Sequence, residues 1–388
     1  MMPIKYLYVD DDETEKLEEL ITELEFHAGG QLEITHTQTR PMKDIQKMFS
    51  EGGFDGLMID QKLDAANENG VVAGYWGTSL AQDCRTEMIG NQMVVAPIVL
   101  FSNEDVYVKY FDKDQSAHNL FDFTVGKTKV SKSESYAHQA SHILIGLATS
   151  YKIAKENVNP KIGSNAKIQE ILEPLLNWND SVYKYCDKRF VEYAESKLED
   201  IHTLISLILH NLVRSAGMLV TESMLATRLG VDINRSEGWE EFKTLLEDCK
   251  YKGVFSSLKD RWWFSSIEDW WYDNEINDLP LRGLTATQRV ESIIEATGCS
   301  GLTPLVPKYT NGTQSEKYWV NCIVSDTPLD ICDAILVSKP DLMSWEQPIY
   351  LDPQVTHDRE YDRDKYPVHK DYQDKVIPLY ERLTKDGD

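Results

Sequence analysis

The sequence predicts an α/β protein: a doubly wound, five-stranded parallel sheet at the N-terminus, then a helical stretch and smaller α+β pieces. Three observations carry this reading. Short apolar runs alternate with helix-like stretches over roughly the first 130 residues, the rhythm that builds βαβ units. The chain has 388 residues, too many for one ordinary domain. Its hydrophobic fraction is 41%, with nine tryptophans, which is enough apolar material for packed cores and excludes wholesale disorder.

The elements follow in order. Strands are expected at Ile4–Val9, Leu32–Thr35, Gly56–Ile59, Ala96–Phe101 and Phe121–Val125. Helices are expected near 13–27, 41–51, 77–89 and 104–112, with another from about 133. In the first helix Leu17, Leu20, Ile21 and Leu24 recur at the helical period. Ligands of such sheets bind beyond the carboxyl ends of the strands, so the residues at those ends matter most. Strand one ends in Asp10-Asp11-Asp12, strand three in Asp60, strand four in Ser102-Asn103 and strand five in Gly126-Lys127. Clustered carboxylates repel one another and call for a cation. Oxygen-only ligands with open water positions suit Mg²⁺. Asp60 could then act as a nucleophile toward a phosphoryl group, with Lys127 as a point charge and the Ser102 hydroxyl as a donor.

The pieces YLYVDD, GLMID, IVLFSN and FTVGK, in that order at strand ends, resemble the receiver domain of two-component response regulators over residues 1 to about 130. The resemblance implies the flavodoxin-like fold and a phospho-acceptor at Asp60. It also implies Mg²⁺ held by Asp10, Asp11, Asp60 and the backbone carbonyl of Lys62. Ser102 takes the place of the switch hydroxyl and Lys127 that of the phosphate-contacting lysine. A histidine kinase or phosphotransfer protein is the implied partner. The sequence departs from the pattern in three places: no proline follows the acceptor in QKLDAANENG, Thr128 follows the lysine, and Thr124 stands where the switch aromatic is usual. The segment Ala65–Gly77 reads as an inserted loop rich in Asn and Gly.

From 133 to 213 the sequence reads as a helical linker or dimerisation region. Helices are expected at Ser135–Ala154, Lys167–Leu176 and Ser181–Leu209, the last strongly apolar on more than one face and suited to a core or a homodimer seam. His202 and His210 lie on it; a helix histidine beside an apolar stripe is first of all structural. Residues 214–284 suggest a winged-helix-like module: a helix opened by Thr221 and turned at Gly230, a second helix Gly238–Tyr251, and a β-hairpin wing within KGVFSSLKDRWWFSSIEDWW turning near Leu258–Asp260. Its would-be reading helix, EGWEEFKTLLEDCK, carries more acids than bases, which opposes DNA binding. Trp262, Trp263, Trp270 and Trp271 are expected in a core or a protein interface.

Residues 285–388 form a small α+β C-terminal unit. A helix opens at Thr285 and closes at Gly298, and KYWVNCIVSDTPLDICDAILV reads as strand, turn, strand. Cys299, Cys322 and Cys332, with His357 or His369, fit no closed zinc spacing. The charged tail THDREYDRDKYPVHKDYQDK is expected to face solvent or a partner.

The net charge of −24 repels nucleic acid and anionic lipid. There is no apolar run of about 18 residues and no secretory leader pattern. Six scattered cysteines suit a reducing cytoplasm. The function expected is response-regulator-like signalling. A receiver takes a phosphoryl group on Asp60 and controls a C-terminal protein-binding or effector module. A DNA-binding regulator, a receiver-fused effector enzyme with a hydrolase in the C-terminal unit, and a silent receiver scaffold are the alternatives. No independent catalytic motif stands out.

Overall fold

The computed structural model describes residues 2–63, 74–103, 120–309 and 313–385. The chain divides into two compact units. The first comprises Met1–Asn177, Ala194–Ile208 and Gly253–Lys259; the second comprises Trp178–Tyr193, Leu209–Lys252 and Asp260–Asp388.

The first unit is built on five strands: β1 (Ile4–Val9), β2 (Leu32–Thr37), β3 (Gly56–Ile59), β4 (Ile98–Ser102) and β5 (Phe123–Gly126). They pair in the order β2-β1-β3-β4-β5, and every pairing is parallel. β3 and β4 are buried throughout, as expected of strands covered on both faces. The helices are α1 (Thr14–His27), α2 (Met42–Gly52), α3 (Gly77–Ile89), α4 (Lys127–Lys132) and α5 (Glu134–Ile153). One core cluster gathers Leu7, Val9, Leu57, Ile59, Ile98 and Leu100 with Ile45, Phe49, Leu80 and Cys84 of α2 and α3. Opposite polar links tie α5 down: the Tyr6 hydroxyl donates to the Leu144 carbonyl at 2.7 Å and Ser141 donates to the Leu24 carbonyl at 2.7 Å. The expected parallel sheet is therefore present. The fifth strand begins two residues later than expected, and α4 starts directly at Lys127. The expected helix 104–112 and most of the loop 65–77 lie outside the described residues.

The long helix expected at Ser181–Leu209 is instead three helices, Asp180–Tyr185, Lys188–Glu195 and Ile201–Ile208. Local side chains interrupt it. Asn179 accepts from the Val182 amide at 2.8 Å, Asp187 from the Arg189 amide at 2.8 Å, and Asp200 from the Thr203 amide at 3.1 Å. Each caps a fresh N-terminus, which outweighs continuing one helix through apolar sequence. Ile201, Leu204, Ile205, Leu207 and Ile208 are all buried within this chain, so they serve as core and not as an exposed seam.

In the second unit, strand Leu219–Thr221 pairs antiparallel with Arg261–Trp263, and Lys250 bridges Trp262. Helix Glu222–Leu229 is capped by Thr221 and ends on Gly230 in the left-handed region (φ 80°). The second expected helix is shorter, Trp239–Thr244, followed by a turn of 3₁₀ helix at Glu247–Cys249. The wing drawn through the tryptophan segment needs correction. Only Arg261–Trp263 is strand, and Phe264–Asp273 is a helix that buries Phe264, Ile267 and Trp271 at helical spacing. Trp262, Trp263 and Trp271 are buried, and Trp270 packs against the same core as Trp239, Phe242 and Leu246. Helix Ala286–Thr297 opens with a Thr285–Gln288 capping box and closes on Gly298, as the sequence suggests. Val320–Asn321 and Pro328–Leu329 form the expected strand pair. All six cysteines are free thiols, and Cys332 alone among them is exposed.

Candidate functional site

Main-chain hydrogen bonds bring the predicted residues together at the carboxyl ends of the strands. The Asp60 amide donates to the Val9 carbonyl at 2.9 Å and the Asp10 amide to the Thr37 carbonyl at 3.2 Å, extending the ladder just past the strands. Asp10 and Asp60 thus follow β1 and β3, the adjacent strands where the sheet order reverses and a crevice opens. Ser102 ends β4, beside Gly126 of β5.

The Lys127 ammonium lies between the two carboxylates, 2.6 Å from Asp10 Oδ2 and 2.8 Å from Asp60 Oδ1. Asp10, Asp60, Ser102 and Lys127 are all buried. The second Asp60 oxygen accepts from the Lys62 amide at 2.7 Å, and Asp10 Oδ1 accepts from the Asp12 amide at 2.9 Å. Asp11 is half-buried and Lys62 exposed. Among the described residues the Ser102 hydroxyl and Gln61 Oε1 have no hydrogen-bond partner.

The electrostatics follow from two acids sharing one base. Burial pushes the Asp60 carboxyl up to about 6, against the pull of Lys127 and with further repulsion from Asp10. Burial also disfavours the Lys127 ammonium, but the Asp60 and Asp10 carboxylates outweigh it and hold its pKa above the ordinary lysine value. With all three ionised, the trio carries one net negative charge before Asp11 is counted.

Three contributors escape a reading of strand ends. The Tyr8 hydroxyl donates to Asp10 Oδ2, and its ring packs 5.1 Å from that of Phe101. Burial and the Asp10 and Asp60 charges raise the Tyr8 pKa well above the usual value, so it stays a neutral donor. His36 of β2 lies edge-on to Tyr8, with ring centroids 5.7 Å apart, and bonds Thr14 Oγ1 through Nδ1 at 2.8 Å. Gly77, the first residue of α3, donates its amide to the Gln61 carbonyl at 3.0 Å. A Cβ at Gly77 would lie 2.1 Å from the Asp60 carbonyl oxygen, so only glycine allows α3 to start there. The period-two pairing of Tyr6 and Tyr8 is a usable signal for Tyr8; nothing local marks His36 or Gly77.

A second buried polar cluster belongs to the same unit, at the opposite ends of β4 and β5. Asp122 accepts from Arg85 Nη2 at 2.7 Å, from the Ile98 amide at 2.8 Å and from the Tyr151 hydroxyl at 2.5 Å, and meets His202 Nδ1 at 2.8 Å. Arg85 also donates to the Leu120 and Ala96 carbonyls, both at 3.1 Å. Burial opposes ionised Asp122, but Arg85, His202 and Tyr151 outweigh it and hold the carboxyl well below the usual range. His202, conceived from sequence as a structural helix histidine, is therefore part of this clamp. It also lines a cavity of about 670 Å³ with Met88, Leu120 and Ile201.

No protein-family model matches the chain, and no curated protein does. Solved structures do show similarity to its N-terminal part. A sensor protein from Polaromonas sp. JS666 is 14% identical, with 37% of this chain and 98% of that one covered at a TM-score of 0.26. A response regulator receiver domain protein from Clostridium thermocellum is 15% identical, with 36% and 98% covered at a TM-score of 0.22. The fold assignment rests on the sheet itself: five parallel strands in the order β2-β1-β3-β4-β5, flanked by helices. The N-terminal unit has a receiver-like fold. Among the described residues no helix is long and apolar enough to cross a membrane.

Proposed function

We propose that this receiver-like unit accepts a phosphoryl group on Asp60, delivered by a histidine kinase, a phosphotransfer protein or an acyl phosphate. The observation that carries the reading is the buried Asp10–Lys127–Asp60 bridge beside a buried Ser102 hydroxyl without a partner among the described residues. A carboxylate oxygen of Asp60 attacks phosphorus, and the bond to the donor nitrogen or oxygen breaks with its electron pair leaving on the donor. Lys127 meets the growing charge on one phosphoryl oxygen, and Ser102 donates to another.

The donor set fits a hard divalent ion: carboxylate oxygens with residual negative charge, and neither sulfur nor imidazole among them. Asp10, Asp11, Asp60 and the Lys62 carbonyl would hold Mg²⁺, which supplies neutralisation of phosphoryl oxygens when bound. Among the described residues no three His, Cys, Asp or Glu side chains are already grouped to hold an ion.

Signalling output is proposed for the rest of the chain. Residues 1–132 act as the receiver, 133–213 as a helical connection, 214–284 as a helical module and 285–388 as the C-terminal unit. That output binds protein in preference to DNA, because a chain with a net charge of −24 repels a polyanion. The test is acetyl phosphate with Mg²⁺, followed by intact-mass measurement of wild type and Asp60→Ala. Gain of one phosphoryl group in the wild type alone is expected. No gain in the wild type sinks the acceptor reading and leaves a silent receiver.

A further inference from the structure

The second unit holds buried positive charge that its own carboxylates leave unmatched. Arg228, in the last turn of helix Glu222–Leu229, is 5% exposed, and Arg289 of helix Ala286–Thr297 is 0% exposed. Among the described residues neither has a carboxylate within ion-pair distance. Arg289 donates to three carbonyls, Leu281 at 2.7 Å and Arg228 and Tyr318 at 2.8 Å each, and its Nη2 has no partner. Arg228 donates to the Trp319 carbonyl at 3.4 Å and to Gln347 Oε1. Arg282 joins them. Its Nη2 meets Asp330 Oδ1 at 3.0 Å, and its Nη1 is buried without a partner.

The three guanidinium carbons surround one half-buried indole. They lie 5.0 Å (Arg228), 5.1 Å (Arg282) and 5.7 Å (Arg289) from the centre of the Trp319 ring, and Arg228 also stacks 4.2 Å above Phe264. Glu268 acts on Arg228, and Asp330 pairs with Arg282 and also acts on Arg289, so three cations share two carboxylates. Burial pushes the Arg228 and Arg289 guanidiniums down to about 10, with Arg282 adding repulsion to both. A buried cation without a counter-charge is expensive, and a chain this acidic has carboxylates to spare. Neither Glu268 nor Asp330 reaches ion-pair distance of Arg228 or Arg289, so the cluster keeps one positive charge in excess, which an external anion can meet.

We propose that Arg228, Arg282 and Arg289 around Trp319 form a binding site for a phosphate-type oxyanion, either free or as the phosphate group of a small ester. The fork of a guanidinium matches two oxygens of such a group, and the unpartnered Arg282 Nη1 and Arg289 Nη2 are its donors. Trp319 offers an aromatic face to an ester's organic part. The site is independent of Asp60 phosphorylation.

The test uses the full chain carrying Asp60→Ala, so that acceptor chemistry cannot contribute. Inorganic phosphate and phenyl phosphate are each titrated against potassium chloride of equal ionic strength, following Tm and tryptophan fluorescence. Binding raises Tm by roughly 5–10 °C at a hundredfold excess over Kd. Added Arg282→Gln, at a half-exposed position that tolerates change, weakens binding about tenfold or more, and Arg282→Lys falls between. Trp319→Phe loses the fluorescence change and keeps the Tm shift. Tighter phenyl phosphate identifies an ester as the ligand class, and equal affinities identify the free ion. Absence of a Tm shift beyond chloride for both probes, or an undiminished shift in Arg282→Gln, overturns the proposal.

Discussion

The receiver-like unit buries two acidic clusters, one at each end of its sheet, and they are built on opposite principles. At the amino ends of β4 and β5, Asp122 is saturated: arginine, imidazole, phenol and main-chain amide all converge on it. At the carboxyl ends, Asp60 shares a single ammonium with Asp10, beside a hydroxyl with no hydrogen-bond partner among the described residues. The first arrangement pushes its carboxyl far down and the second pushes its carboxyl up. A carboxylate over-supplied with donors holds a structure together. One left short of positive charge stores a demand that a cation and a phosphoryl group can meet, at some cost in stability.

The comparison breaks most readily at Asp122. Asp122→Ala leaves Arg85 buried without its counter-charge and should destabilise the chain by about 3–5 kcal/mol in urea unfolding. A change under about 1 kcal/mol would mean that the clamp is not structural. Asp60→Asn should do the reverse. Between the ordinary carboxylate value and about 6 the folded chain holds the extra proton, so this group makes stability fall as pH rises. The substitution should therefore stabilise by about 1–3 kcal/mol at pH 7.5, and the gain should vanish by about pH 4. Asp122 contributes with the other sign: its stabilisation is full above the ordinary carboxylate value and is lost as acid titrates it. Thermal melts of both variants from pH 4 to 8 separate the two slopes.

Smaller effects sharpen the contrast. Gly77→Ala forces a methyl group into the Asp60 carbonyl and should cost about 1–3 kcal/mol, together with slower phosphoryl uptake by intact mass. An unchanged uptake rate would show that acceptor placement does not depend on α3. Ser102→Ala should shift stability by less than about 1 kcal/mol, because its hydroxyl has no hydrogen-bond partner among the described residues. Reduced yield of the phosphorylated form, at unchanged Tm, would assign that hydroxyl to the phosphoryl group.

The two clusters also differ in how far they could be read beforehand. Asp10, Asp60, Ser102 and Lys127 each end or follow an apolar strand run, and a parallel sheet brings strand ends together, so the carboxyl-end cluster is legible in the sequence. The Asp122 clamp is not. Arg85 sits inside a helix, Tyr151 near the end of another and His202 at the start of a third, and no local pattern announces that they meet. The middle of the chain shows the same limit on a smaller scale. Asn179, Asp187 and Asp200 are ordinary polar residues in an apolar stretch until their side chains are seen capping new helices. The tryptophan segment misled because a strand of three residues runs straight into a helix, and aromatic residues suit both.

The bond from Gly77 to Gln61, the residue after Asp60, spans a long stretch of sequence. Both ends of the intervening segment are thereby anchored at one spot, with buried Leu63 at its exit. Its length is uncoupled from where the aspartate stands, since closing a longer loop between fixed posts adds only a logarithmic entropic cost. That segment can be trimmed or extended while the Asp60 carboxylate keeps its place.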